Sequence, residues 1–268
     1  MSTVTISDQE FSQFQGLIHQ LAGIHLSPAK KALVSGWLAK SQDKYRLGSY
    51  AEYFKLLTDK HNAAELQVAV DLLTTNETYF FREPKHFDFL RAKILSGHKP
   101  GRSFRVWSAA CSSGEEPYSI AMVLADHLGE GPWEVMATDI STRVLEKART
   151  GLYSLERASG ISREHLTRYC LKGVGAQEGT LLVERKLRGR VNFIHANLSK
   201  PLPALGEFDV IFLRNVMIYF DMATKRQVVQ RMLPLLKPGG HFMVGHSESL
   251  NGVVDTLQAI SPAIYRKP

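Results

Sequence analysis

The 268-residue sequence is 44% hydrophobic, enough to bury a core in one large or two modest domains. Its 33 Lys and Arg against 26 Asp and Glu give +7, which suits nucleic acid, an acidic protein surface or no charged partner, so the distribution of charge has to decide. No run approaches the roughly 18–20 apolar residues of a bilayer span, the opening MSTVTISDQEF has no signal core, and Cys111 and Cys170 lack metal-ligand spacing, so a cytoplasmic chain without membrane insertion, disulfide framework or zinc site is expected.

Residues 1–75 read as a helical domain without strands. Ser7 and Glu10 form a capping box ahead of Phe11, Phe14, Leu17, Ile18 and Leu21 at helical spacing, with a stop near Gly23. Ser27 and Pro28 open a second helix to about Arg46, Ser49 with Glu52 a third, and Asn62 with Glu65 a fourth through Leu73. The second helix holds Lys30, Lys31, Lys40, Lys44 and Arg46 against Asp43 alone, so it is either a docking face for an acidic partner or a solvated face; Leu33 and Trp37 interrupt the stripe.

The run Asn76-Glu77-Thr78-Tyr79-Phe80-Phe81-Arg82-Glu83-Pro84 sets polar side chains and an arginine beside three aromatics, the makings of a site edge or of interdomain packing. A helix near Lys85–Leu95 and the hinge Gly97, Pro100, Gly101 complete a linker over 76–100.

Residues 101–268 carry strand and helix in alternation. Phe104–Ala110 reads as a buried strand that enters the small-residue turn Cys111-Ser112-Ser113-Gly114, and Glu115-Glu116-Pro117 opens a helix to about Leu128. One glycine replaces the three of the dinucleotide fingerprint, and two carboxylates sit where pyrophosphate charge would gather. A cationic ligand without phosphate, such as S-adenosylmethionine (SAM), fits better; an ordinary strand-to-helix turn is the alternative. A second strand, Trp133–Ala137, ends at Asp139, placed either to meet ribose hydroxyls or to cap the next helix. Residues 152–190 outlast a simple crossover, so a small antiparallel subdomain is expected there, with a short helix at Leu166–Leu171, turns at Gly173, Gly175 and Gly179, and an exposed strand at Thr180–Leu187. Later strands are expected at Val191–His195, with His195 packed, at Phe208–Leu213 and at His241–Gly245 after a Pro238-Gly239-Gly240 turn. Val253–Tyr265 supplies the remaining sheet edge.

Taken together, NETYFFRE, SAACSSGEEPYS, TDIS, NFIHANL, FLRNVMIYF, LLKPGG and GHSE resemble the chemotaxis receptor glutamate methyltransferases, the CheR family, nearly end to end. That resemblance implies an α/β fold: a small all-α domain, then a Rossmann-like, mostly parallel doubly wound methyltransferase domain with an antiparallel β-subdomain insert. It implies SAM as cofactor, S-adenosylhomocysteine as product and no metal. Carried over by position, Asn76, Thr78 and Arg82 close over the cofactor, Gly114 sits in its turn, Glu116 meets the methionine side, Asp139 the ribose, and Asn197 with Leu198 the adenine, while Arg214 and Asn215 line the pocket. Arg82 and Tyr219 are expected to orient the acceptor carboxylate, with Tyr79, Phe80, Phe81 and Tyr219 excluding water. The substrate implied is glutamate on the cytoplasmic coiled coil of a chemoreceptor, met by the lysines of the second helix. In part of the family a receptor C-terminal peptide docks on the insert, which points to Gly173 and Gly175. The enzyme is expected to be a monomer that binds no nucleic acid. A nucleic-acid methyltransferase, and a receptor-binding module with a dead cofactor fold, are the competing readings.

Overall fold

The computed structural model describes residues 5–268, so the first four residues of the expected 1–75 domain lie outside the described residues. Helices α1 (Asp8–Ala22), α2 (Lys31–Lys44), α3 (Tyr50–Thr58) and α4 (Ala63–Leu73) pack around Phe14, Ile18, Val34, Leu38, Tyr53 and Leu57. The Ser7–Glu10 box closes in both directions, and Gly23 ends α1 at φ 72°, where a side chain would be strained. Among the described residues this part has no strand, only a single bridge from Ile24 to Phe220.

One cap differs from the sequence expectation. Asn62 makes no side-chain cap bond, and Glu65 turns inward to accept hydrogen bonds from Lys44, Tyr45 and Tyr53 at 2.9, 2.8 and 2.9 Å. Three donors on a buried carboxylate outweigh one backbone N–H at a helix end.

The linker forms α5 (Lys85–Phe89), which continues through a π-helical turn at Leu90–Ile94. Next come β1 (Phe104–Ala109), α6 (Glu115–Leu128), β2 (Trp133–Asp139) and α7 (Thr142–Thr150), then the insert of β3 (Leu152–Ser154), α8 (Arg163–Tyr169), β4 (Cys170–Lys172), β5 (Thr180–Val183) and α9 (Arg185–Arg188). After it run β6 (Val191–His195), β7 (Phe208–Leu213), α10 (Met222–Met232), β8 (Leu236–Val244), β9 (Gln258–Ser261) and β10 (Ile264–Arg266).

The main sheet has the order β6-β2-β1-β7-β8-β10-β9. Its first five strands are parallel and β10 and β9 close one edge antiparallel, so the carboxyl ends of β1, β2 and β7 meet on one side. Apolar residues cover both faces of this sheet, which explains why its central strands read as almost unbroken apolar runs.

Four local expectations are corrected. Pro238, Gly239 and Gly240 do not precede β8 but bulge within it, because Phe208 faces Leu236 while Val210 already faces His241. The insert helix lies earlier than expected, at Arg163–Tyr169. Strand β5 stops at Val183 and is not exposed, since Leu181 and Val183 are buried in the main core. His195 is exposed rather than packed: it ends the edge strand β6, and its Nε2 lies 3.0 Å from the Ile140 carbonyl.

Candidate cofactor and acceptor cleft

The carboxyl ends of β1, β2 and β7 open into a cleft walled by the linker, the sheet and the helical domain, the place where a ligand meets an open α/β sheet. Its position follows from the fold, since parallel strands leave a crevice where successive crossovers diverge. Asn76, Thr78 and Arg82 come to it from the linker, Ser112 from the turn after β1, Glu116 from the first turn of α6, Asp139 from β2, and Arg214, Asn215 and Tyr219 from the segment after β7. The helical domain adds Ile24, Leu26, Lys30 and Leu73. A smaller hollow beside it holds Asn197 and Leu198 and shares Ile24, Ala110, Asp139, Ile140 and Val216 with the cleft.

Backbone strain concentrates here. Phe81, Glu83, Ala110, Ser112 and Asn215 all take φ between 50° and 58°, a region that costs residues with a side chain about 1 kcal/mol or more. Such conformations persist where neighbouring bonds over-determine them. The Ser112 backbone N–H donates to Asp139 at 2.8 Å and its hydroxyl to the Asn76 carbonyl at 3.0 Å, while the Asn215 N–H donates to Glu248 at 2.7 Å.

Arg214 is the electrostatic centre. Its side chain is 1% exposed and is held 2.9 Å from both Glu116 and Glu83, and it also donates to the Arg82 carbonyl. Burial would push the Glu83 carboxyl up, yet the hydrogen bond and charge of Arg214, with Asn215 and the His246 N–H, hold it down at about 2. Glu83 therefore stays ionised and pins the linker against β7. Glu116 accepts a second bond from Ser108 at 2.7 Å. Asp139 is raised by its burial, against two backbone N–H donors from Ser112 and Ser141 that stabilise the anion. Because Ser141 caps α7, the alternative cap role for Asp139 is not used.

The charged lining is balanced, with Glu77, Glu116 and Asp139 against Lys30, Arg82 and Arg214. A lining that offers both signs suits a ligand that carries a sulfonium, an ammonium and a carboxylate better than a polyphosphate. Each Asp139 oxygen has one backbone partner, so the carboxylate keeps acceptor capacity for a vicinal diol. On these grounds the residues present fit SAM.

Several expected residues stand elsewhere. Gly114 is outside the cleft lining; at φ +96° it caps α6, and a Cβ there would lie 2.8 Å from both the Ala148 Cβ and the Tyr153 hydroxyl, so close packing explains the glycine. Phe80 is buried against Tyr153 with ring centroids 4.9 Å apart, and Phe81 stacks on His165, so both face the insert rather than the cleft. Tyr79 is exposed at 46% and does not line the cleft either; of these aromatics only Tyr219 does. The side chain of Asn197 donates to the Leu21 carbonyl at 2.7 Å and accepts from the Ser199 N–H, tying the helical domain to the sheet.

The expected basic face of α2 is divided. Lys31 pairs with Asp8 and Lys44 with Glu65, Lys30 lies over the Tyr219 ring at 5.1 Å, and Lys40 and Arg46 are exposed. In the insert, Gly173 allows a tight turn, since a Cβ would meet the Gln177 carbonyl at 1.9 Å, and Gly175 takes φ +57°.

Glu83 and Glu248 carry no role in the sequence reading, although both lie in quoted runs. The available signal is an acid directly beyond an aromatic run or a strand end, where a buried arginine and free backbone N–H groups need partners.

Family comparisons agree with this geometry. The all-α domain of the CheR methyltransferases matches residues 9–74, and their SAM binding domain matches residues 76–265. The chemotaxis protein methyltransferase of Salmonella typhimurium is 42% identical over 98% of this chain and 91% of its own length, and that of Escherichia coli 44% identical over 92% and 87%. Chemotaxis protein methyltransferase 2 of Pseudomonas aeruginosa is 40% identical over 96% and 92%. The resemblance carried by the NETYFFRE, SSGEEPYS and RNVMIYF runs is borne out: the chain belongs to the CheR methyltransferase family and is a SAM-dependent methyltransferase of chemotaxis.

Proposed function

We propose that the enzyme esterifies glutamate side chains on the cytoplasmic helices of a chemoreceptor, giving glutamate 5-O-methyl esters and S-adenosylhomocysteine. When bound, SAM supplies an electrophilic methyl carbon on a sulfonium. Asn76, Thr78, Glu116, Asp139, Arg214 and Asn215 hold it, with Asn197 and Leu198 flanking the adenine. Gly114 shapes the turn from behind. The observation that carries this reading is the Glu116–Arg214–Glu83 chain, which fixes the linker over the strand ends and leaves Arg82, Tyr219 and Lys30 at the cleft.

A glutamate at neutral pH is already an anion and needs no general base. The task left to the protein is to orient and desolvate it, and the Arg82 guanidinium, 3.0 Å from the Glu77 carbonyl, matches a carboxylate in shape and charge beside Tyr219. Residues 76–100 act as the closing linker between a 1–75 helical domain and a 101–268 catalytic domain. On α2 and just beyond its end, Lys40 and Arg46 are exposed cations suited to an acidic coiled coil, while Lys30 serves at the cleft itself. In the insert, 152–190, β4 is an edge strand that carries Leu171 and is followed by Val174, exposed at 53% and 79%, a surface suited to strand addition by a receptor peptide, shaped by Gly173 and Gly175. The reading entails a cytoplasmic monomer with no nucleic-acid substrate.

The test incubates enzyme, labelled SAM and receptor cytoplasmic fragments with and without their last residues. Label on the fragment that is released as methanol by mild base supports the reading. Base-stable label, or label transferred to nucleic acid instead, overturns it.

A further inference from the structure

A second cluster of chemistry lies behind Arg214, where the start of α5 meets the end of β8. His86 is 1% exposed, and neither of its ring nitrogens has a partner among the described residues. An imidazole buried in this way loses its hydrogen bonds to water and gains none in return unless something satisfies it. Its Nδ1 is 3.5 Å from a Glu83 oxygen, and the His246 ring approaches at 4.8 Å between centroids, inclined by 69°. One ligating atom from each of Glu83, His86 and His246 lies within 4.8 Å of the others.

We propose that Glu83, His86 and His246 form a site for one divalent transition metal of the zinc, cobalt or nickel class. Two imidazoles and one carboxylate select these ions over magnesium or calcium, which prefer oxygen alone. Metal–ligand bonds of about 2.0–2.2 Å set neighbouring ligand atoms roughly 3.3–3.5 Å apart. The Glu83–His86 pair already has that spacing. His246 is exposed at the end of β8, so its side chain supplies the remaining movement and leaves an open coordination position for water.

Arg214 opposes a second cation here, but Glu83 and Glu116 pair with it and Glu248 adds a third carboxylate through its bonds to the Gly245 and Asn215 N–H groups. The neighbourhood is thus negative before a metal enters. The Glu83 oxygen nearest His86 is also the one bonded to Arg214, so an occupied site draws on the contact that pins the linker over the cleft. Metal should therefore weaken binding of S-adenosylhomocysteine, and that product should weaken binding of metal by the same factor. This coupling rests on the proposed cofactor site, whereas metal binding itself does not.

The test titrates cobalt(II) alone into the full-length protein and reads the visible bands of the coordinated ion, with zinc calorimetry in parallel. One equivalent is expected to bind, with affinity reduced at least roughly tenfold in His246→Ala and in Glu83→Gln. His246→Ala should leave metal-free methyl transfer near wild type, which shows that the variant is folded. Absence of stoichiometric binding, or wild-type metal affinity in folded His246→Ala, would overturn the site. Stoichiometric metal binding with unchanged product affinity would overturn the coupling alone.

Discussion

At the scale of single residues, Arg214 has the largest structural consequence. Replacement by Met removes the cation between Glu83 and Glu116 and leaves two partly buried carboxylates without it, a loss of about 3 kcal/mol in denaturant unfolding, at the low end for a broken buried pair. Arg214→Lys should recover only part of this, because an ammonium lacks the fork that reaches both acids and the Arg82 carbonyl. Arg82 behaves differently: it packs at the cleft with one bond to Glu77, so Arg82→Ala should lower kcat by roughly 10²-fold while calorimetry finds product affinity little changed. Parallel losses of binding and turnover would mean that Arg82 serves the cofactor alone. Arg214 and Glu116 were both legible in the sequence as cleft residues. Their bond to each other was not, because the two stand 98 positions apart and only the sheet brings them together.

Among the elements, those with local signals were read most accurately. The α1 cap at Ser7 and its stop at Gly23 depend on residues three or four apart, and both form as the sequence implies. The Asn62–Glu65 pair has the same spacing but a different outcome, decided by Tyr45, Tyr53 and Lys44 from elsewhere in the domain. Those three hydrogen bonds overcome the burial that would raise Glu65 and hold its carboxyl below the ordinary value. A carboxyl lowered by folding lends stability that is complete above the unfolded value, about pH 4.5, and is lost as pH falls below it. Glu65→Gln should cost about 1–3 kcal/mol at neutral pH and flatten the decline of stability below pH ~4.5, as checked by urea unfolding across pH. Phe80 and Phe81 illustrate the opposite limit, since the sequence marks them as aromatic without showing which side they face; Tyr153 and His165 of the insert decide it.

At the level of the whole molecule, the fold class and the five parallel strands of the main sheet were legible, because a parallel sheet covered on both faces writes itself as apolar runs separated by turns, whereas the short insert strands β3 and β4 were not. The junction of the helical domain with the sheet was not, since it depends on side chains bonding to distant carbonyls. Asn197 reaches Leu21, Ser199 reaches Ala22, and Ile24, Leu26 and Lys30 then form one wall of the cleft. Asn197→Ala should therefore lower the thermal midpoint by a few degrees, with a smaller effect on product affinity. A loss of affinity without a change in midpoint would assign the side chain to the adenine.

The central claim is that the strand-end cleft holds the methyl donor through the Asp139 carboxylate. Isothermal titration with S-adenosylhomocysteine tests it most directly, on the wild type and on Asp139→Asn. One equivalent should bind the wild type, and the variant should lose roughly tenfold in affinity, ~1.4 kcal/mol, while remaining folded. Equal affinity in the two proteins, or no binding to the wild type, would contradict the account.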